Sequence, residues 1–345
     1  MKKGCKFGTH RVIEPVGSLP QPAQKIDNTM EIYDNEILID VQTLNIDSAS
    51  FTQIKEQANH DVDKIKEIMT GIVDTRGKHH NPVTGSGGML IGTINSVGEA
   101  LEGKTDLKVG DRIATLVSLS LTPLKINKIK DVRIDIDQVD IDGQAILFES
   151  GIYAKLPEDM PENLALSVLD VAGAPAQTRK LVKEGDTVLV IGGAGKSGML
   201  CLYEAKKIVG EKGKVICLGR SEKSMEKVRK ANLADYYMVA DATKPVEVLE
   251  KVKEITNGEM ADVTINCVNI NKTEMSSILA TKDDGTIYFF SMATSFTTAA
   301  LGAEGVGMDT TMIIGNGYTR GHADIALDIM RESKELREVY TELYA

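Results

Sequence analysis

The sequence predicts an α/β chain: a doubly wound parallel sheet in the second half, preceded by a β-rich half. Three observations point there. From about Pro157, short continuous apolar runs alternate with amphipathic stretches, the rhythm of βαβ units. Before it, the apolar runs are short and separated by turns, as half-buried strands are. And in TVLVIGGAGKSG (Thr187 to Gly198) a glycine-rich stretch follows straight on from one of those continuous runs. A chain of 345 residues exceeds what one core commonly organises, so two domains are expected, 1–155 and 156–345.

In the first half, Glu36 to Val41 (EILIDV) and Met89 to Val97 (MLIGTINSV) read as strands. So do Arg112 to Val117 (RIATLV) and the alternating Arg133 to Asp137 (RIDID). Phe51 to Met69 mixes charges with spaced apolar residues and reads as one exposed helix, whereas Asp74 to Gly88 reads as a turn-rich loop. In the second half, Asn163 to Val182 reads as helix, interrupted near Pro175. Strands follow at Thr187 to Ile191, Lys214 to Leu218, Tyr237 to Val239, Ala261 to Val268, Thr286 to Phe290 and Met312 to Ile314. Helices are expected at Ser197 to Val209, Ser224 to Ala231, Val246 to Thr256, Lys272 to Ala280 and Ala323 to Ser333. The strand runs are continuously apolar because parallel strands between helices are buried on both faces. There is no internal repeat and no low-complexity tract.

Composition narrows the partners. Forty basic against 50 acidic side chains, a formal charge of −10, speak against non-specific nucleic-acid binding or an anionic membrane surface. No apolar run approaches the roughly 18–20 residues that span a bilayer. The N-terminus lacks a signal peptide's apolar stretch. The 4 cysteines are scattered with no CxxC pair, so a reducing cytoplasm is expected rather than a disulfide scaffold. Aromatics are only 4% and Trp is absent, so an aromatic cage is not expected to hold the ligand.

Gly193, Gly195 and Gly198 fit G-x-G-x-x-G between a strand and a helix. The first permits the tight turn, the second lets backbone approach a pyrophosphate, and the third lets the helix pack on the strand. Phosphates then meet the helix N-terminal N–H groups. Gly193, Ala194, Gly195, Lys196, Ser197 and Gly198 are therefore expected to hold a dinucleotide on a Rossmann-type sheet. The next strand runs into Gly219-Arg220-Ser221, with Lys223 close behind, where an NAD site would place a carboxylate. A guanidinium and a hydroxyl suit a 2′-phosphate, so NADP is preferred to NAD. Cys267 and Val268, and Ser291 and Met292 after the next strand, are expected along the cofactor at the strands' carboxyl ends.

A β-rich half ahead of such a domain, with GSGGMLIGTINSVG (Gly85 to Gly98) and KVGDRIA (Lys108 to Ala114), resembles the medium-chain dehydrogenase/reductases. That resemblance implies a GroES-like first domain. Zinc-using members carry a Cys after the second strand and Gly-His-Glu before the fourth. Here those places hold Asp47 and Gly85-Ser86-Gly87, and the cysteine lobe for structural zinc is missing, so no metal is expected. The adjacent His79 and His80 are expected to be solvated in a loop. The chain also stops one helical stretch after the last strand, so the N-terminal segment must complete the first domain.

The runs KFGTHRVIEPVGSLPQPA (Lys6 to Ala23) and YFFSMATSFTTAALGAEGVGMD (Tyr288 to Asp309), with GAGKSG, are similar to the L-erythro-3,5-diaminohexanoate dehydrogenase family. This implies NAD(P)-dependent oxidation of a C3 amine to 5-amino-3-oxohexanoate with release of ammonia, in lysine fermentation. It also implies a small diamino acid as the partner and a homo-oligomer, dimer or tetramer. Such chemistry needs one general base and no metal. Asp47 and Asp170 are the candidates, the first where the zinc-using medium-chain dehydrogenases place a ligand. Asp170, amid the apolar LSVLDVAGAPA, is expected to be buried with a raised pKa if unpaired. The alternative for each is a local role, capping a turn or satisfying backbone N–H groups. His10 and Arg11 are expected to receive the substrate carboxylate, exposed strand charges being the alternative. Two other functions stay open: a zinc-independent NADPH-dependent enone or quinone reductase, and a non-catalytic NADPH-binding protein.

Overall fold

The computed structural model describes residues 1–315 and 317–344, and the chain divides into two units at Glu158/Asp159. In the first unit an antiparallel ribbon, β1 (Val12–Glu14) with β2 (Lys25–Ile26), leads into β3 (Glu36–Ile46). Two helices, α1 (Ser48–Gln57) and α2 (Val62–Arg76), come next. Then follow β4 (Gly88–Val97), β5 (Arg112–Thr115), β6 (Leu124–Arg133), β7 (Gln138–Phe148) and β8 (Tyr153–Lys155). β3 to β8 form one antiparallel sheet ordered β6-β7-β3-β4-β5-β8. Its inward residues, Leu44, Val139 and Ile141 among them, pack with Phe51 and Ile54 of α1 and Ile65 and Met69 of α2. The N-terminal segment is woven into this unit, with Lys2 O accepting the Asp34 N–H and Lys6 O the Ser150 N–H.

Two sequence readings are corrected here. The single helix over Phe51 to Met69 is two helices, because Asn59 and His60 turn into positive φ (53° and 61°) and Asp61 caps α2, accepting from the Asp63 and Lys64 N–H groups. The strand over Arg133 to Asp137 is a short 3₁₀ turn, Ile134–Ile136, ending on Asp137 at φ 55°. It joins β6 to β7, two strands the pattern did not announce. β6 is an edge strand carrying Lys125, Lys128 and Lys130, charges that blunt an edge but erase an apolar signature.

The second unit opens with α3 (Glu162–Leu169) and α4 (Gly173–Leu181), then β9 (Thr187–Ile191), α5 (Lys196–Val209), β10 (Lys214–Gly219), α6 (Glu222–Lys230) and β11 (Tyr236–Val239). It continues through α7 (Pro245–Thr256), β12 (Ala261–Asn266), α8 (Glu274–Ala280), β13 (Thr281–Phe289), α9 (Phe296–Val306) and β14 (Thr311–Ile314). Helices α10 (His322–Glu332) and α11 (Lys334–Tyr344) close it. All neighbouring strands are parallel, in the order β11-β10-β9-β12-β13-β14. The order reverses between β9 and β12, the switch point beside which a doubly wound sheet opens its ligand crevice. The α/β class and doubly wound sheet expected from sequence are therefore what the chain forms. The helix break falls at Asp170–Ala172 rather than at Pro175. Pro175 instead sits in the first turn of α4, where a missing N–H costs no helical hydrogen bond. Among the described residues no helix is long and apolar enough to cross a membrane.

Candidate active site

The tightest backbone in the second unit lies where β9 meets α5. Gly192 turns at φ 80°, and a Cβ on Gly198 would stand 2.2 Å from Gly192 O. A Cβ on Gly193 would meet Cys217 Sγ at 2.6 Å, whereas Gly195 has only Gly192 O near it, at 3.3 Å. α5 starts at Gly195 with no side-chain cap, so the N–H groups of its first turn, Lys196 to Gly198, lack a capping side chain. A cradle that Cβ atoms would fill, ending in uncapped N–H groups, fits a dinucleotide pyrophosphate. Ala194 and the Ser197 side chain are buried within this turn. The Lys196 ammonium is engaged elsewhere: it donates to Asp170 Oδ2 at 2.6 Å and lies 5.8 Å from the Tyr344 ring centre.

β10 ends on Gly219, which packs so closely on α6 that a Cβ would stand 2.4 Å from Met225 Sδ. Arg220 and Lys223 are exposed beyond it. Ser221 departs from expectation. Its Oγ accepts the Ser224 N–H at 3.3 Å and, with Ser224, forms the capping box of α6, so the hydroxyl assigned to a phosphate is committed to the helix.

Behind β12, the Cys267 N–H donates to Ile191 O at 2.9 Å and the Val268 N–H to Asn266 Oδ1 at 3.1 Å. The Val268 side chain lies against Gly192. Behind β13, Ser291 Oγ accepts the Ala293 N–H at 3.1 Å, while Met292 is 89% exposed. This loop is held by a residue that sequence reading missed. Glu274, in the first turn of α8 and 2% exposed, accepts the Ser295 N–H at 2.7 Å through Oε1, and its buried Oε2 has no partner. In sequence it is one more acid at a helix start; only the fold reveals its tie to Ser295.

In the first unit, Asp47 stands between β3 and α1, and its Oδ2 accepts the Gly87 N–H at 3.1 Å. The fold thus joins Asp47 to the Gly85-Ser86-Gly87 run, forty residues on in the sequence. Around them stand hydroxyls: Ser50 Oγ lies 2.5 Å from both Thr84 Oγ1 and Ser86 Oγ. Asn81 secures the loop, accepting from the Val83 and Thr84 N–H groups and donating to Gln53 Oε1. None of Ser50, Asn81, Thr84 and Ser86 was singled out individually in the sequence, since nothing in their spacing marks them. His79 is not solvated as expected. It is fully buried, neither ring nitrogen has a hydrogen-bond partner, and burial pushes its pKa down to about 4.

Three further expectations are corrected. Asp170 is exposed, not buried, because it caps the C-terminal end of α3 at the surface beside Lys196. Arg11 is fully buried and all its N–H groups are engaged. Nε and Nη2 grip the two oxygens of Glu36 at 2.7 Å each, and Nη1 and Nη2 also donate to the carbonyls of Asp27, Thr29 and Glu31. His10 accepts the Cys5 N–H at Nδ1, which leaves Nε2 to carry the proton and donate to Glu36 at 2.8 Å. Neither has a donor left for a substrate carboxylate. Burial alone would raise the Glu36 carboxyl, but hydrogen bonds from Arg11, Tyr33 and His10 outweigh it and hold the pKa below the usual carboxylate range.

Comparison with known proteins supplies the family. Residues 10–157 match the model described as the L-erythro-3,5-diaminohexanoate dehydrogenase N-terminal domain, and residues 198–319 one described as zinc-binding dehydrogenase. The zinc of the second description finds no fit: among the described residues no three His, Cys, Asp or Glu come together as ligands. The chain is 66% identical over 342 residues to L-erythro-3,5-diaminohexanoate dehydrogenase of Acetoanaerobium sticklandii, covering 99% of each chain. It is 63% identical over 344 residues to the enzyme of that name from Fusobacterium nucleatum subsp. nucleatum, covering 100% of each. Among solved structures, mycobacterial Rv1454c complexed with NADPH shares the fold at a TM-score of 0.56 and 18% identity, over 91% of this chain and 86% of that one.

Proposed function

This chain belongs to the L-erythro-3,5-diaminohexanoate dehydrogenase family and is an oxidoreductase acting on an amine group; from that premise we propose that it oxidises the C3 amine of L-erythro-3,5-diaminohexanoate, with NADP preferred to NAD. The products are 5-amino-3-oxohexanoate, ammonium, the reduced dinucleotide and a proton, with one water consumed. We place the reaction in lysine fermentation in the cytoplasm. The observation that supports the redox half is the glycine turn at Gly192–Gly198, where a Cβ on Gly192, Gly193 or Gly198 would strike the protein's own atoms, Gly195 has only Gly192 O near it, and α5 begins with no side-chain cap. The bound dinucleotide supplies the hydride acceptor.

The residues then have separate tasks. First-turn N–H groups of α5 hold the pyrophosphate, and Arg220, with Lys223, takes the 2′-phosphate. The substrate amine must shed a proton before hydride leaves C3, and water must lose one as it attacks the resulting imine carbon. Asp47 is the less committed of the two candidate bases: it is exposed, and one of its oxygens is held, by the Gly87 N–H. Asp170 is tied to Lys196. The test is an assay of L-erythro-3,5-diaminohexanoate with NADP⁺ and NAD⁺, following reduced nicotinamide and released ammonia together. Equal amounts of the two support the reading, and Asp47→Asn should lower kcat by about 10²–10⁴-fold. Turnover of an enone or quinone with none of the diamino acid would overturn it.

A further inference from the structure

We propose that the terminal helix α11 is a strut for the dinucleotide turn, and that Tyr340 is the positioning residue through which it acts. The Tyr340 hydroxyl donates to Lys196 O. That carbonyl belongs to the same rigid peptide plane as the Ser197 N–H, because the peptide bond does not rotate. Holding the oxygen therefore fixes the direction of one of the uncapped N–H groups at the start of α5. The strut is itself well seated. Tyr340 is fully buried and so are Leu336 and Val339, which anchor α11 in this unit. The Tyr340 and Tyr344 rings meet edge to face at 5.1 Å, and the Tyr344 ring stands 5.8 Å from the Lys196 ammonium, whose other partner is Asp170 at 2.6 Å. One residue of the glycine turn is thus gripped twice from α11, at its carbonyl and at its side chain. The Asp170 pair draws the ammonium away, so Lys196 serves the turn through its backbone. Neither tyrosine stands out in the sequence, where the last stretch reads only as an amphipathic helix.

Coupling of this kind is reciprocal: if α11 orders the turn, a dinucleotide that orders the turn must stabilise α11. The inference rests on the glycine turn being the dinucleotide site, so binding is measured directly, by quenching of reduced-nicotinamide fluorescence or by calorimetry. Wild-type protein that binds neither NADPH nor NADH would overturn that reading itself. Given binding, Tyr340→Phe, which removes one oxygen, should raise the Kd of both by about fivefold, the scale of one hydrogen bond. It should leave kcat and the KM for the diamino acid unchanged and lower Tm by only about 2–4 °C. An unaltered Kd, or a loss in kcat at unchanged Kd, would refute the positioning role. A second measurement needs no variant. Hydrogen exchange on the full-length protein should slow on NADPH addition over residues 334–344 as well as over 192–200; slowing confined to the turn would refute the strut.

Discussion

Arg11 and Glu36 are both withdrawn completely from water, and the cost of burying two charges, several kcal/mol each, is offset only by nearly complete pairing. Five hydrogen bonds from Arg11, and four onto Glu36 from Arg11, His10 and Tyr33, supply that pairing. Replacing one partner strands the other. Arg11→Leu should cost about 3–5 kcal/mol of stability, read by chemical denaturation, while leaving KM for the diamino acid unchanged in the folded fraction. A raised KM at unchanged stability would return Arg11 to the substrate. His79 makes a different demand, because its ring is buried without partners and must stay neutral. Its pKa falls from 6.5 to about 4 on folding, so between those values the unfolded chain binds more protons than the folded one. The stability it allows is fully present above pH 6.5 and drains away as pH falls towards 4. Relative to His79→Leu, wild type should therefore lose up to about 3 kcal/mol across that window. Parallel pH profiles for the two proteins would show that His79 does not titrate there.

Elements differ in how openly their sequences declare them. β9, β10 and β12 are buried between layers and read as apolar runs, and the turn behind β9 needs glycine because Cβ atoms would strike backbone or Cys217, so strand and glycine turn were both legible. The edge strand β6 was obscured by its lysines, and α9 by its run of Thr, Ala and Gly, which carries no polar face to set a period. Side-chain roles were less legible than elements, since a motif gives position and not partner. The Gly219-Arg220-Ser221 run shows this: Arg220 remains free to meet a phosphate, whereas Ser221 caps α6. The two should separate in experiment. Arg220→Ala should raise the KM for NADP⁺ by about 10–100-fold, with little change for NAD⁺, as loss of charge-assisted hydrogen bonds predicts. Ser221→Ala should cost about 1 kcal/mol of stability and leave the NADP⁺/NAD⁺ preference in place. Equal effects of Arg220→Ala on both dinucleotides would refute the clamp.

At the scale of the whole molecule, the chain carries an excess of acidic groups while one border of its second sheet stays apolar. Among the described residues β14 is an edge strand, bonded to β13 on one side only. Beside it in sequence, α9 is apolar nearly all round yet buries only Ala299 and Ala303, leaving Phe296 at 69% and Leu301 at 62% exposed, with Ile314 of β14 at 57%. A helix of that composition is normally covered, and an open apolar edge invites pairing. The homo-oligomer that family resemblance suggests would meet both demands at once. Two copies related by a twofold axis can lay β14 against β14, extend the sheet, and cover α9 with the same surface of the partner. Sedimentation at micromolar concentration should then show a dimer or larger, and Leu301→Glu with Ile314→Lys should yield monomers that keep the wild-type unfolding cooperativity. Those two side chains are exposed in the single chain, so the substitutions strand no buried partner, and a shift to monomer reports the interface rather than misfolding. Wild-type protein sedimenting as a monomer would overturn the assignment and leave α9 an apolar surface that the charge alone must keep in solution.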